Sequence, residues 1–375
     1  MPGRDPGERH RTATSLELLF DLCFVIAVAQ ASESLHEALA DGAADTGALR
    51  FAVVFFTVWW AWMNFTWFAS AYDPDDIPYR LTVLVQITGS LILAAGVPDA
   101  FAEGDLRTIT IGYVVLRTAL AALWLRAARS DPARRTTALR FATGVTLCQV
   151  GWVGLLAAPE AARLPGVAAL ILAEVAVPVW AQSAGMTPWH PRHIAERYEL
   201  FTLIVLGESV AAATVAVRGA FDRHQSTGAL CATAAGGLLT AFALWWLYFS
   251  RPAHTLLATT HRAHRRRFGW AYGHYLIFAS AAAEGAGLAA YADHLTGHGH
   301  TSRLAAGAAV TVPAAVFLIT VWAVHLRPHL TTAVERAPYP VAVSGLLAAT
   351  FTPWPALAAG AVLVVLVVVV TAPRR

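Results

Sequence analysis

Residues 15–36 read SLELLFDLCFVIAVAQASESLH. As a helix, a run of 22 residues is about 33 Å long, enough to cross the hydrocarbon core of a bilayer. Glu17 and Asp21 nevertheless lie inside it, spaced i, i+4 on one helix face and ~6 Å apart along the axis. A charge at the centre of a lone membrane helix costs ~2.5–3.5 kcal/mol on insertion scales. That face must therefore meet other helices, which makes the run one span of a bundle. The polar, basic residues before it suggest a signal peptide, but Glu17, Asp21 and Glu33 interrupt the run and no cleavage site follows.

Eleven further runs repeat the pattern. After 15–36 they are 50–70, 80–97, 108–126, 138–158 and 164–183, then 197–217, 228–250, 268–292, 304–325, 338–352 and 354–371. The last two are short and joined by Thr352-Pro353-Trp354-Pro355, so a single re-entrant hairpin is an alternative there. Composition agrees: 57% of the 375 residues are hydrophobic and 14% charged, against about 25% charged in soluble domains. A soluble enzyme is excluded, and so is a disordered chain, which would be polar and highly charged. Cys23, Cys148 and Cys231 all lie in apolar runs, so a disulfide scaffold is excluded as well. The expected fold class is all-α, a polytopic transmembrane helix bundle of about 12 spans.

All 27 basic residues are arginine. Positive loops stay cytoplasmic. With the N-terminus inside, 20 arginines fall in cytoplasmic segments and six outside (Arg50, Arg107, Arg163, Arg218, Arg223 and Arg303), while Arg117 lies within a span. The expected topology puts both termini inside, with cytoplasmic segments at 1–14 and 372–375. The basic runs 126–140 and 262–267 are short loops between spans; they read as topology determinants, and no nucleic-acid partner is expected. Arginine without lysine, rich alanine and 13 tryptophans match the codon usage of a GC-rich bacterial genome.

Spacing suggests an internal repeat. Glu17 and Glu199 are 182 positions apart, Trp59-Trp60 and Trp245-Trp246 are 186 apart, and Gln86 and His274 are 188 apart. Six spans return the chain to its starting side, so two parallel six-helix halves, 15–183 and 184–371, are the expected organisation.

Intramembrane polar groups mark the candidate site. Glu17 and Asp21 are close enough to share a proton or hold a cation. Glu174, Glu199, Glu208, His274, Glu284 and Asn64 lie in other spans, and Arg117 is the natural ion-pair partner for one of the carboxylates. Trp59, Trp60 and Trp62 stand in mid-span, too deep for an interfacial belt, where their rings would line a cavity and face a cation. Asp73, Asp75 and Asp76 follow and offer oxygen ligands to a hard divalent cation, though the sequence requires no cofactor.

Several strings resemble a known family. They are Thr14-Ser15-Leu16-Glu17-Leu18-Leu19-Phe20-Asp21-Leu22, Trp59-Trp60-Ala61-Trp62-Met63-Asn64-Phe65-Thr66-Trp67-Phe68, and Asp73-Pro74-Asp75-Asp76-Ile77-Pro78-Tyr79-Arg80. In the second half they are His193-Ile194-Ala195-Glu196-Arg197-Tyr198-Glu199-Leu200-Phe201-Thr202, Leu206-Gly207-Glu208-Ser209 and Gly273-His274-Tyr275. Together they are similar to the bacterial low temperature requirement A (LtrA) integral membrane proteins, from about residue 9 to 370. The resemblance implies a bacterial cytoplasmic membrane protein linked by name to growth in the cold, and it assigns no activity or catalytic residue.

Two functions fit. Buried carboxylates suit a path for protons, cations or a small solute, with Glu17, Asp21, Asn64, Glu199, Glu208, His274 and Glu284 as binding groups. The alternative is a membrane-embedded enzyme acting on an isoprenoid or lipid. Asp73-Pro74-Asp75-Asp76 resembles the D-x-D-D acid motif of protonation-initiated terpene cyclases, with Asp73, Asp75 and Asp76 as catalytic candidates. The bilayer is a partner in either case, with an ion, small solute or lipid as substrate.

Overall fold

The computed structural model describes residues 1, 3–5, 8, 11–222, 227–258 and 264–372. Arg9, Arg223, Arg262, Arg374 and Arg375 of the arginine count, and the C-terminal segment from residue 373, lie outside the described residues. The described chain is helical, with no strand. The helices are α1 (Ser15–Ala40), α2 (Ala44–Ala71), α3 (Ile77–Ala95), α4 (Val97–Ala102), α5 (Arg107–Ser130), α6 (Arg135–Leu156), α7 (Glu160–Gln182) and α8 (Pro191–Asp222). They continue as α9 (Thr227–Phe249), α10 (Ala253–Ala258), α11 (His264–Leu295), α12 (Arg303–Val321), α13 (Ala333–Arg336), α14 (Pro338–Ala349) and α15 (Pro355–Thr371).

Among the described residues, nine helical segments are long and apolar enough to cross a membrane. They match the expected spans one to six and eight to ten. The remaining three fall outside that count for different reasons. Several side chains of α8 lie outside the description. At 12 residues, α14 is only about 18 Å long, well short of the hydrocarbon core. α15 has 17 residues and is uniformly apolar. α14 packs against both α12 and α15, and α15 against α9.

The chain forms two compact units. The first comprises Met1–Ala31 and Val53–Arg197, the second Ser32–Ala52 and Tyr198–Arg375. The division falls inside α8, and the segment 32–52 belongs to the second unit.

In the first unit α2 is buried on every face: Val54, Phe55, Val58, Trp60, Ala61, Trp62, Phe65 and Phe68 are all at most 2% exposed. A helix that is apolar all round belongs at the centre of a bundle. In the same unit α3 packs on α5, α5 on α6 and α6 on α7. The α3–α5 crossing depends on glycine. A Cβ on Gly89 would stand 2.8 Å from the carbonyl oxygen of Gly112, and one on Gly112 would collide with the backbone of Leu93. Small residues at such points let helices approach to backbone contact, the main source of helix association in lipid.

The α2–α3 corner is built by Asp73-Pro74-Asp75-Asp76. Asp75 takes φ 49°, a left-handed conformation that Asp tolerates better than most residues. Asp76 is the N-cap of α3; its carboxylate accepts from the Tyr79 N–H at 3.0 Å, and Pro78 occupies the first turn.

In the second unit α11 packs on α12. α12 contains Pro313 and runs into a π-helical turn, Trp322–Leu326, which carries the buried His325. Trp245 and Trp246 are 44% and 50% exposed, whereas Trp59 and Trp60, their counterparts in the sequence spacing, are 2% and 0% exposed. The two tryptophan pairs therefore have different environments despite their matching positions.

Candidate functional site

The first unit contains two buried charge networks. In one, α1 and the start of α8 run side by side as a two-rung ladder. Glu17 and Asp21 are one helical turn apart on α1, and His193 and Arg197 are one turn apart on α8. His193 Nε2 lies 3.1 Å from Glu17 Oε1. Arg197 grips Asp21 with two nitrogens, Nε to Oδ2 at 2.9 Å and Nη2 to Oδ1 at 2.6 Å. Trp62 of α2 donates its indole N–H to the same Asp21 oxygen at 2.6 Å. Glu17, Asp21, His193 and Arg197 are all at most 1% exposed.

Arg197 also couples the rungs, because its Nη1 is 3.0 Å from Glu17 Oε1. Those two atoms are close enough to attract but misaligned, and neither makes a hydrogen bond. The Thr14 N–H and hydroxyl donate to Glu17 Oε2 at 2.8 and 3.1 Å. Arg11 closes the network: it donates to the carbonyls of Ala69, at 2.6 Å, and Ser70 at the C-terminal end of α2, and it stands 3.8 Å from Asp73 and 4.0 Å from Glu17. A cation suits that position, where the last carbonyls of a helix lack partners. Burial pushes the Asp73 carboxyl above its ordinary range, with the charge of Glu17 adding to the shift.

The second network centres on Glu174 of α7, which receives four hydrogen bonds from three other helices. The donors are Trp60 Nε1 (2.9 Å), the Tyr113 hydroxyl (3.1 Å), Arg117 Nη2 (2.6 Å) and Gln149 Nε2 (3.2 Å). Arg117 and Glu174 are both fully buried. The carboxylate's acceptor capacity is filled, and the bonds tie α2, α5, α6 and α7 together.

The D-x-D-D aspartates point to different arginines. Asp73 faces Arg11 and Arg4, at 3.8 and 3.5 Å. Asp75 pairs with Arg80 at 2.7 Å, and Asp76 with Arg126. Hydrogen bonding to Arg126 pulls Asp76 down to about 2. Among the described residues, no group of three or more His, Cys, Asp or Glu side chains is placed to hold a metal ion.

Other candidates lie in the second unit. His274 accepts from the Tyr248 hydroxyl at Nε2 (2.8 Å), while its Nδ1 contacts the Trp270 carbonyl at 2.7 Å. The Trp270 indole donates to His325 Nδ1 at 3.3 Å, and His325 Nε2 meets the Arg251 carbonyl at 3.1 Å. Each imidazole is thus held in one orientation by a donor on one nitrogen and an acceptor on the other. Glu208 and Glu199 are half-buried on α8.

Glu284 of α11 differs from the arginine-held acids. It is 2% exposed, and among the described residues it has no ion-pair partner and its Oε1 no hydrogen bond. It borders a cavity of about 120 Å3, whose polar lining otherwise comes from Ser209 and Thr214 against Val210, Leu238 and Leu288. The Ser209 hydroxyl is already bonded to the Ala281 carbonyl at 2.5 Å.

The structure therefore brings Glu17, Asp21, Trp62 and Asp73 into one network and Trp60 into another. His274 and Glu284 have separate surroundings on α11. Asn64 bonds within its own helix, donating to the Trp60 carbonyl at 2.8 Å. Trp60 and Trp62 engage carboxylates through their indole N–H groups. The expected Arg117 ion pair is present, with Glu174 as partner. The sequence reading missed Arg197 and Arg11, which were counted with the loop arginines, and His193. A usable signal existed, since His193 and Arg197 repeat the i, i+4 spacing of Glu17 and Asp21 with opposite charge.

The model of the bacterial low temperature requirement A protein family matches residues 12–372, a range that includes both ladder rungs and the whole Glu174 network. The chain belongs to the LtrA family. This LtrA protein is 28% identical over 274 residues to "Uncharacterized protein RA0937" of Rhizobium meliloti (strain 1021). That match covers 70% of the LtrA chain and 65% of the relative's length. No solved structure matches the chain. It is a multi-pass membrane protein.

Proposed function

We propose that this LtrA protein moves protons, or a small cation in their place, across the bacterial cytoplasmic membrane, with Glu284 as the carrier carboxyl. The observation carrying this reading is Glu284 itself, a buried membrane carboxyl beside a cavity with no ion-pair partner among the described residues. An isolated ionised carboxylate is too costly in an apolar interior. A proton or cation must neutralise it, and exchange of that charge is the elementary step of transport. Glu17, Asp21 and Glu174 are already neutralised by arginine, which suits them to holding helices in place. Arginine alternation supports cytoplasmic termini.

The test is purified protein in liposomes, with proton and alkali-cation flux followed by an internal dye. The expected result is flux that falls about 100-fold or more in Glu284→Gln, the scale of losing a positioned proton-transfer group. Wild-type flux in that variant, or no proton, sodium or potassium flux in the wild-type protein, refutes the proposal.

A further inference from the structure

The second unit has a cleft of about 540 Å3 that the proposed transport step does not use. Its walls come from α10, the start of α11, the π turn after α12, and α13. Leu256, Leu257, Trp270 and Val324 supply apolar surface, while Arg267, Arg327 and Arg336 bring three guanidinium groups. Among the described residues, no carboxylate belongs to the lining.

Two of these arginines are braced. Arg336 donates through Nε (3.0 Å) and Nη2 (2.6 Å) to the Leu330 carbonyl, which fixes the plane of its guanidinium. The Arg327 guanidinium lies over the Trp322 ring, 5.6 Å from its centre. The nearby Glu335 carboxylate is committed to the α13 capping box with Thr332 and accepts from Thr331 as well. In the same 3-10 turn as Arg327, His329 Nε2 is buried without a hydrogen-bond partner.

We propose that this cleft binds a phosphate-bearing ligand, with Arg267, Arg327 and Arg336 holding the phosphoryl oxygens and the leucine and tryptophan wall covering an attached apolar or aromatic part. Guanidinium groups match phosphate geometry with paired donors, and the volume lies in the ~300–1,000 Å3 range of small-molecule sites. Basic pockets between membrane helices take the headgroups of anionic lipids. A soluble phosphate compound has the same chemistry, so the two sources must be separated by experiment.

The full-length protein is purified in detergent and tested in two arms. In the first, retention of phosphatidylglycerol over phosphatidylcholine is read by native mass spectrometry. In the second, inorganic phosphate is titrated with thermal stability as the readout. Arg327→Gln, with an unliganded Tm equal to wild type, is expected to weaken the responding arm about tenfold, the loss of one charge-assisted contact. Arg267→Gln is a second, independent variant should the first not fold. A response to phosphatidylglycerol alone assigns a lipid headgroup; a Tm that rises with phosphate assigns a soluble ligand. No response in either arm, or equal responses in wild type and both variants, overturns the proposal.

Discussion

Removing the Arg197 guanidinium should be among the most damaging single changes in the first unit. In Arg197→Met, Asp21 loses contacts at 2.6 and 2.9 Å and Glu17 loses its neighbour at 3.0 Å. Two buried carboxylates then face each other one helical turn apart. At ~6 Å and an effective dielectric of about 20, their repulsion alone is ~3 kcal/mol. Breaking a buried ion pair by removing one partner costs about 3–5 kcal/mol, so a loss in that range is expected. Asp21→Asn placed in the same chain removes the orphaned charge and retains an acceptor for the Trp62 indole. It should restore about 2 kcal/mol or more, within the 0.5–3 kcal/mol seen for directly coupled residues. Unfolding by SDS titration of wild type, both single variants and the double variant closes the cycle. A loss below about 1 kcal/mol in Arg197→Met, or a double variant no more stable than Arg197→Met, would mean that the ladder does not hold α1 to α8.

Two further predictions concern structure outside the networks. Gly112→Val puts side-chain atoms into the backbone of Leu93, so α3 and α5 must separate; a loss of about 1–3 kcal/mol is expected, read as a lower Tm, and an unchanged Tm refutes the close crossing. Asp76→Asn preserves the cap on α3 but removes the charge facing Arg126. Because Asp76 is pulled from its ordinary value near 4 to about 2, its ionic contribution is present above pH 4 and lost as pH falls to 2. The Tm gap between wild type and Asp76→Asn should therefore close over that window; a gap independent of pH would show that the pair adds nothing.

Most of the fold was legible in the sequence, and part of the site was. Nine of the expected spans follow from run length and hydropathy, because a bilayer imposes one simple requirement on every crossing helix. α14 shows the limit: 338–352 reads as an apolar run, but Pro353 and Pro355 and the turn before them leave only 12 helical residues. At the site, carboxylates stood out because charge is rare in apolar runs. Arg197 did not, since at a helix end an arginine that sets topology and one that turns inward to an acid look identical. Trp60 and Trp62 were recognised as unusually deep, but whether a ring face or an indole N–H is used depends on rotamer and neighbours, which periodicity does not encode.

The sequence by itself determined that this chain is a helical membrane protein, roughly where its helices run, and which few acids lie within apolar runs. Those follow from local chemistry, namely the cost of exposing peptide groups or charge to lipid. Only the tertiary structure decided the partners: Asp21 with Arg197, 176 residues away, Glu174 with donors from three other helices, and Glu284 with no ion pair among the described residues. Pairing depends on which helix faces meet, and that is set by packing among several helices at once. The same rare residue type thus became a helix clamp at two places and a candidate carrier of charge at a third.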